Sequence, residues 1–434
     1  MATRRAFPAT MAAVVAATLA TATASATAAA MMVPAQTATA MATATVAVAA
    51  VPTQAPTATC TTALAACLDT LAPGGTCTTP LPVPPESFPP ALRSPQGYNL
   101  AQLRRGVYSY FDGAYFSLLL RDGPALALVD FPDSGGSNVP DGSGTRLTDA
   151  ILEVLDGDTP AQVAFIYSHP HYDHIGAASR VAAWLNTTYP DAPLTVYGTA
   201  EVTDLVVRSE SRRAVEPTLV VAAPRTVLTV GSLEVQLLMV GGHSASDLAI
   251  YIPPSCGAGG RANGTHGGDD DGSDGSDDGR APGIIHHVDV VYPGWSPFAN
   301  LAITIDVTEF VDVHDSLLSL DWSIFSGGHL SKLGTRDDVA VSKAFVTDLL
   351  AAGAAGATGV GPDAFAEAGL GQVANATSPV AGNLWFAFLR VVRPLQIDVC
   401  VRQMLEKWGC ALGGLDITIR SACFTAVTHA VLAG

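Results

Sequence analysis

Residues 168–176 read SHPHYDHIG and place His169, His171 and His174 within six positions, with Asp173 among them. Neutral imidazole is the commonest nitrogen ligand for a divalent ion, and a carboxylate oxygen keeps such an ion Lewis-acidic where thiolates would quench it. The spacing His-x-His-x-Asp-His lets His169 and His171 turn toward one ion while Asp173 and His174 reach a neighbouring one. Without a metal, the same groups crowd one strand end with unsatisfied polar atoms, which is costly. Two Gly-Gly-His stretches follow, GGHSASD with His243 and SGGHL with His329. Glycine lets the backbone crowd a ligand, so both histidines join the candidate set. Asp289, in HVDVVYPGW, has two readings: a carboxylate between two ions, or a partner of His287, which period-two alternation places on the same strand face. His266, His314 and His429 are read as lying outside the site.

These residues need elements to hold them. VAFIY (163–167) is a β-branched and aromatic run that ends just before the cluster, so the histidines sit in the loop leaving a buried strand. IGAASRVAAWL follows with helical spacing, as does AILEVL upstream. TVLTV, LEVQLLMV and LAIYIP read as strands, with His243 in the loop between the last two. IIHHVDVVYPGW reads as a strand, 303–320 as a helix and WSIFSGGH as a further strand. Thr335 and Asp338 form a Thr-x-x-Asp cap that opens a helix, and the remainder is mostly helical. Residues 106–132 read as successive hairpins with Asp-Gly turns. Strands and helices thus alternate in two runs, each ending on histidine-bearing loops.

The chain has 434 residues, 48% hydrophobic and 14% charged, which describes a core former. A net charge of −17 disfavours a nucleic-acid partner, which demands clustered Lys and Arg. Residues 1–30 carry Arg4 and Arg5 before an apolar, acid-free run with Ala-x-Ala-like sites and read as a signal or targeting peptide. Secretion or periplasmic export is therefore expected, with an organelle transit peptide as the alternative and no membrane span in the mature chain. Sequons at Asn186, Asn263 and Asn375 fit a glycosylated secreted chain. Residues 31–95 are rich in Ala, Thr and Pro and read as a low-complexity linker, and residues 256–282 as a disordered acidic insertion. Seven cysteines cluster early (Cys60, Cys67, Cys77) and late (Cys400, Cys410, Cys423), with Cys256 apart. In an oxidising compartment Cys423 pairs with Cys400 or Cys410. Cys400 and Cys410 are poor mutual partners, because ten residues of helix rise about 15 Å.

HPHYDHIG resembles the His-x-His-x-Asp-His-x-Gly signature of the metallo-β-lactamase superfamily, which includes glyoxalase II, lactonases, alkylsulfatases and certain nucleases. The order of His243, Asp289 and His329 extends the resemblance over roughly residues 100–340. It implies an α/β fold, a four-layer αβ/βα sandwich across 96–345, with a helical C-terminal region at 346–434. It also implies one metal held by His169, His171 and His243, and another by Asp173, His174 and His329, with Asp289 between them. Two divalent ions, zinc by default with iron or manganese as alternatives, share a hydroxide that Asp173 orients. The C-terminal pattern departs from glyoxalase II, the acidity from nucleases, and Asp289 from secreted β-lactamases, which tend to have serine or cysteine there.

The expectation is a hydrolase of esters, lactones, lactams or thioesters acting on a small molecule. A phosphodiesterase or sulfatase-type hydrolase, or a non-catalytic metal-binding or sensing protein, is the alternative.

Overall fold

The computed structural model describes residues 57–133, 145–209, 212–256, 280–329, 331–377 and 384–433. The stretch read as a leader (1–30) and the sequon at Asn263 lie outside them.

A first sheet has seven strands in sequence order: Asn99–Arg104, Val107–Phe111, Phe116–Asp122, Ala125–Val129, Gln162–Ile166, Leu194–Thr199 and Leu219–Val221. The hairpin strands pair antiparallel, and from Ala125–Val129 onward the pairing is parallel. A second sheet orders its strands Ile324–Ser326, Ile284–His286, Leu248–Ile252, Leu233–Met239 and Arg225–Val230.

Side-chain alternation explains how the sheets stack. Leu118, Leu120, Ala127 and Val129 meet Val235, Leu237, Leu248, Ile250 and Ile284 in a core between the sheets. On the other face of the same strands, Leu119, Leu126 and Leu128 pack against helices Thr145–Leu155 and Ala178–Thr188. Ala249, Tyr251 and Ile285 face helices Val307–Leu318, Arg336–Gly359, Arg393–Trp408 and Leu415–Ala433. A strand buried on both faces reads as a nearly continuous apolar run, as ALALV does. The result is the expected αβ/βα sandwich.

The expected capping box is present: Thr335 Oγ1 accepts from the Asp338 amide, while Asp338 accepts from the Thr335 amide. The helical tail shares one core with the second sheet, Val346 and Leu349 packing with Met404, Leu405 and Ala426. Helices Arg336–Gly359 and Leu415–Ala433 are long and apolar enough to cross a membrane, yet each spends an apolar face on this core.

Four expectations need correction. Residues 57–95, read as linker, hold a helix, Ala58–Thr70, bound to the tail by Cys60–Cys410 and closed locally by Cys67–Cys77. Composition misleads there because the segment's few apolar residues, Leu64, Leu68 and Leu81 among them, pack onto the core shared with the helical tail, and disulfides fasten them. The insertion's rims are structured, since Ser255–Cys256 and Arg280–Ala281 form an antiparallel ladder. The strand expected to run through Asp289 ends at His286. The helix expected over 303–320 begins only at Val307, capped by Asp306, and a left-handed turn precedes it.

Because that ladder already brings the chain ends together, replacing residues 257–279 by a short Gly/Ser link is expected to leave thermal stability and metal content nearly unchanged. Unfolding of the deletion variant would show the segment to be structural.

Candidate metal centre

Every candidate ligand leaves the carboxyl end of a strand, at one edge of the sandwich. His169, His171, Asp173 and His174 follow Gln162–Ile166, with the last two in a one-turn helix, Tyr172–Ile175. His243 follows Leu233–Met239, Asp289 follows Ile284–His286 and His329 follows Ile324–Ser326. The glycines before the two late histidines do the turning. Gly242 has φ +122°, and a Cβ there would stand 2.9 Å from Val290 Cγ2.

Two groups result: His169, His171, His243 and Asp289; and Asp173, His174, His329 and Asp289. In each, the donor atoms lie within 4.8 Å of one another. His243 Nε2 stands 2.8 Å from His171 Nδ1, and His174 Nε2 stands 3.1 Å from His329 Nε2. Asp289 Oδ2 lies 3.4 Å from His169 Nε2 and 3.2 Å from His174 Nε2, while Oδ1 lies 2.7 Å from His329 Nε2. All seven predicted residues are therefore brought together, and the carboxylate is common to both groups.

This donor set fits divalent ions. His169 Nε2 is buried without a hydrogen-bond partner, and facing imidazole nitrogens concentrate lone pairs that a cation satisfies. Burial pushes His243 down to about 4 and lowers His171, which favours the neutral, ligating form. Burial works the same way on His174, but Asp289, Asp130 and Asp173 outweigh it and raise that histidine to about 9. Asp289 itself is held well below the usual carboxylate range: burial opposes ionisation, and His174 and His329 overcome it.

The His287 reading of Asp289 does not hold. Asp289 has φ +63°, a left-handed conformation that Asp tolerates and that ends strand alternation. His287 instead donates from Nε2 to the Gly241 carbonyl, 3.1 Å away, and burial pushes it down to about 3. His314, on helix Val307–Leu318, bonds to Ser342 away from the site, and His429 lies on the last helix. His266 lies outside the described residues.

Supporting residues escaped the sequence reading. Buried Asp130 accepts the Ser168 amide at 2.9 Å and lies 3.4 Å from His286 Nε2, fixing the loop that carries the cluster. Asp247 accepts the amides of His243 and Ser244. Tyr115 packs edge-on against His174 and tilts over His329. A lone acidic residue closing a buried strand, as in ALVDF, was the available signal for Asp130.

Beside Asp173 and His329 a cavity of about 370 Å³ opens, walled by Tyr292, Trp295, Phe298 and Ile417. Phe298 precedes the left-handed turn, in which Asn300, Leu301, Ala302 and Ile303 have φ of 50–57°. Such backbone costs about 1–2 kcal/mol per residue, so surrounding structure must hold it. The Asn300 amide donates to Ser421 Oγ at 2.9 Å, and Thr304 Oγ1 to the Gly242 carbonyl at 2.8 Å.

A two-sheet αβ/βα sandwich gathering this ligand set at one edge has the metallo-β-lactamase fold, in agreement with the resemblance of the sequence. No protein-family model and no curated protein sequence matches the chain. Solved structures do. A stereoselective inverting sec-alkylsulfatase from Pseudomonas sp. is similar at 14% identity and TM-score 0.45, over 77% of this chain, which spans half of that protein's length. A subclass B3 metallo-β-lactamase of Bradyrhizobium japonicum is similar at 14% identity and TM-score 0.38, over 57% of this chain and 91% of that one. A β-lactamase domain protein from Burkholderia ambifaria is similar at 13% identity and TM-score 0.43, over 80% of this chain and 94% of that one.

Proposed function

We propose that the chain is an exported hydrolase that holds two divalent ions, zinc by default, and cleaves an ester, lactone, lactam or thioester. One observation carries this reading: Asp289 lies within ligand distance of both histidine groups, the placement a carboxylate needs between two cations. Divalent ions supply Lewis acidity toward a carbonyl oxygen and lower the pKa of water.

The chain's own groups account for the rest. His169, His171 and His243 would hold one ion, and Asp173, His174 and His329 the other. The Asp173 side chain is 41% exposed and borders the cavity, so its carboxylate is placed to orient water and take its proton. The water oxygen bonds to the acyl carbon, the bond to the leaving oxygen, nitrogen or sulfur breaks, and the proton passes to that leaving atom. Burial, followed by the neighbouring Asp173 and Asp289, raises the Tyr115 hydroxyl, which stays protonated as a neutral donor beside them. The three disulfides among the described residues support an oxidising compartment, in keeping with export.

Purified protein is expected to carry close to two metals per chain by elemental analysis and to cleave at least one of a chromogenic panel of esters, lactones, cephalosporins and thioesters. His169→Ala is expected to lose most of that activity with unchanged circular dichroism. A fully active metal-free protein would refute the proposal.

A further inference from the structure

The wall of the cavity beside Asp173 and His329 joins residues 292–298 to the tail, and a third stretch of sequence braces it from behind. Trp295 donates from Nε1 to the Ser87 carbonyl at 2.8 Å and packs edge-to-face against Phe88. The same ring lies on the tail: a Cβ at Gly413 would stand 2.9 Å from Trp295 Cε3, so only glycine lets the two approach. The Ser296 amide donates to the Gly413 carbonyl at 3.0 Å, and the Ser296 and Thr418 hydroxyls meet at 2.8 Å. Cys60–Cys410 and Cys400–Cys423 bind the tail covalently on both sides of Gly413. The wall is therefore built and clamped.

Its chemistry is one-sided. Trp295, Phe298, Tyr292 and Ile417 present apolar surface, and none of the described residues lining the cavity is Lys or Arg. The lining carboxylate, Asp173, belongs to the ligand set. Away from the ion that Asp173 and His329 would hold, an anionic substituent on this wall would lose water without gaining a Lys or Arg partner, whereas an apolar one gains by burial.

We infer that the 293–303 loop and the 410–421 tail form a subsite for an uncharged apolar substituent, aryl or longer alkyl, next to the bond being cleaved. The tail thereby sets substrate choice, and the inference rests on the hydrolase reading above. Ile417, 74% exposed in the first turn of Leu415–Ala433, is the position to test, because an acidic residue is tolerated at a helix start.

The experiment compares p-nitrophenyl hexanoate, acetate and hemisuccinate on the full chain, wild type and Ile417→Glu. Wild type is expected to prefer hexanoate over both others in kcat/KM by at least about tenfold, and Ile417→Glu to lose most of that preference. Ile417→Lys is expected to raise hemisuccinate relative to hexanoate. Hydrolysis of all three esters without preference, or a preference untouched by both substitutions, overturns the subsite while leaving the hydrolase standing. If no ester is cleaved, ester hydrolysis fails instead, and calorimetry with intact p-nitrophenyl hexanoate decides the subsite. Binding that weakens about tenfold in Ile417→Glu supports it, and absence of binding overturns it.

Discussion

Asp289→Asn is expected to lower affinity for at least one ion by about 10–100-fold and to remove most activity, with the fold retained. The substitution isolates charge. Asn keeps the shape of Asp and, like Asp, tolerates the left-handed φ of +63° at this position, so backbone strain is not a competing cause. What it removes is the negative oxygen pair that lies 2.7 Å from His329 Nε2 and 3.2 Å from His174 Nε2. Without that charge, cations held by the two groups would repel one another with less negative charge shared between them. Elemental analysis after dialysis against a weak chelator is the direct measurement, with circular dichroism as the control. Two ions retained at wild-type affinity, with an unchanged rate, would remove Asp289 from the centre and leave the six other ligands standing.

The second large effect concerns the disulfides. Cys60–Cys410 joins residues 350 apart in sequence, whereas Cys67–Cys77 joins residues 10 apart. Closing a longer loop removes more entropy from the unfolded chain, so Cys60→Ser with Cys410→Ser is expected to lose about 2–4 kcal/mol of stability, and Cys67→Ser with Cys77→Ser less. Denaturant titration of the two double variants gives the comparison. The loss should be structural as well as energetic, since helix Ala58–Thr70 fully buries only Cys60 and Cys67, while Ala63, Leu64 and Leu68 are only partly buried against the core. Limited proteolysis of the Cys60/Cys410 variant is then expected to cut first within residues 57–95. An order of stability reversed between the two variants would show that strain or residual structure in the unfolded chain outweighs loop entropy.

The ligands were legible because their signals are local. His169, His171, Asp173 and His174 follow one strand at spacing that suits clustered coordination, and Gly-Gly-His marks a turn at each late histidine. The layers were legible for a similar reason: ALALV and LAIYI are buried on both faces, and continuous apolar runs announce that. Asp289 was half legible. Its residue type suited a bridge, but period-two alternation tied it to His287, and nothing local announced that the strand would end at His286.

What the sequence by itself determined, then, is the set of candidate metal-binding side chains and the strands that end in them, because spacing and hydrophobic period are properties of neighbouring residues. The tertiary structure alone decided which donors share Asp289, that Asp130 steadies the cluster loop, and that a stretch resembling a linker is fastened to the tail. It alone decided, too, that Ser87 and Gly413 brace Trp295 in the wall of one cavity. Those contacts join residues between 38 and 350 positions apart, and their pairing depends on how the two sheets and the helical tail pack, which no periodicity along the chain encodes.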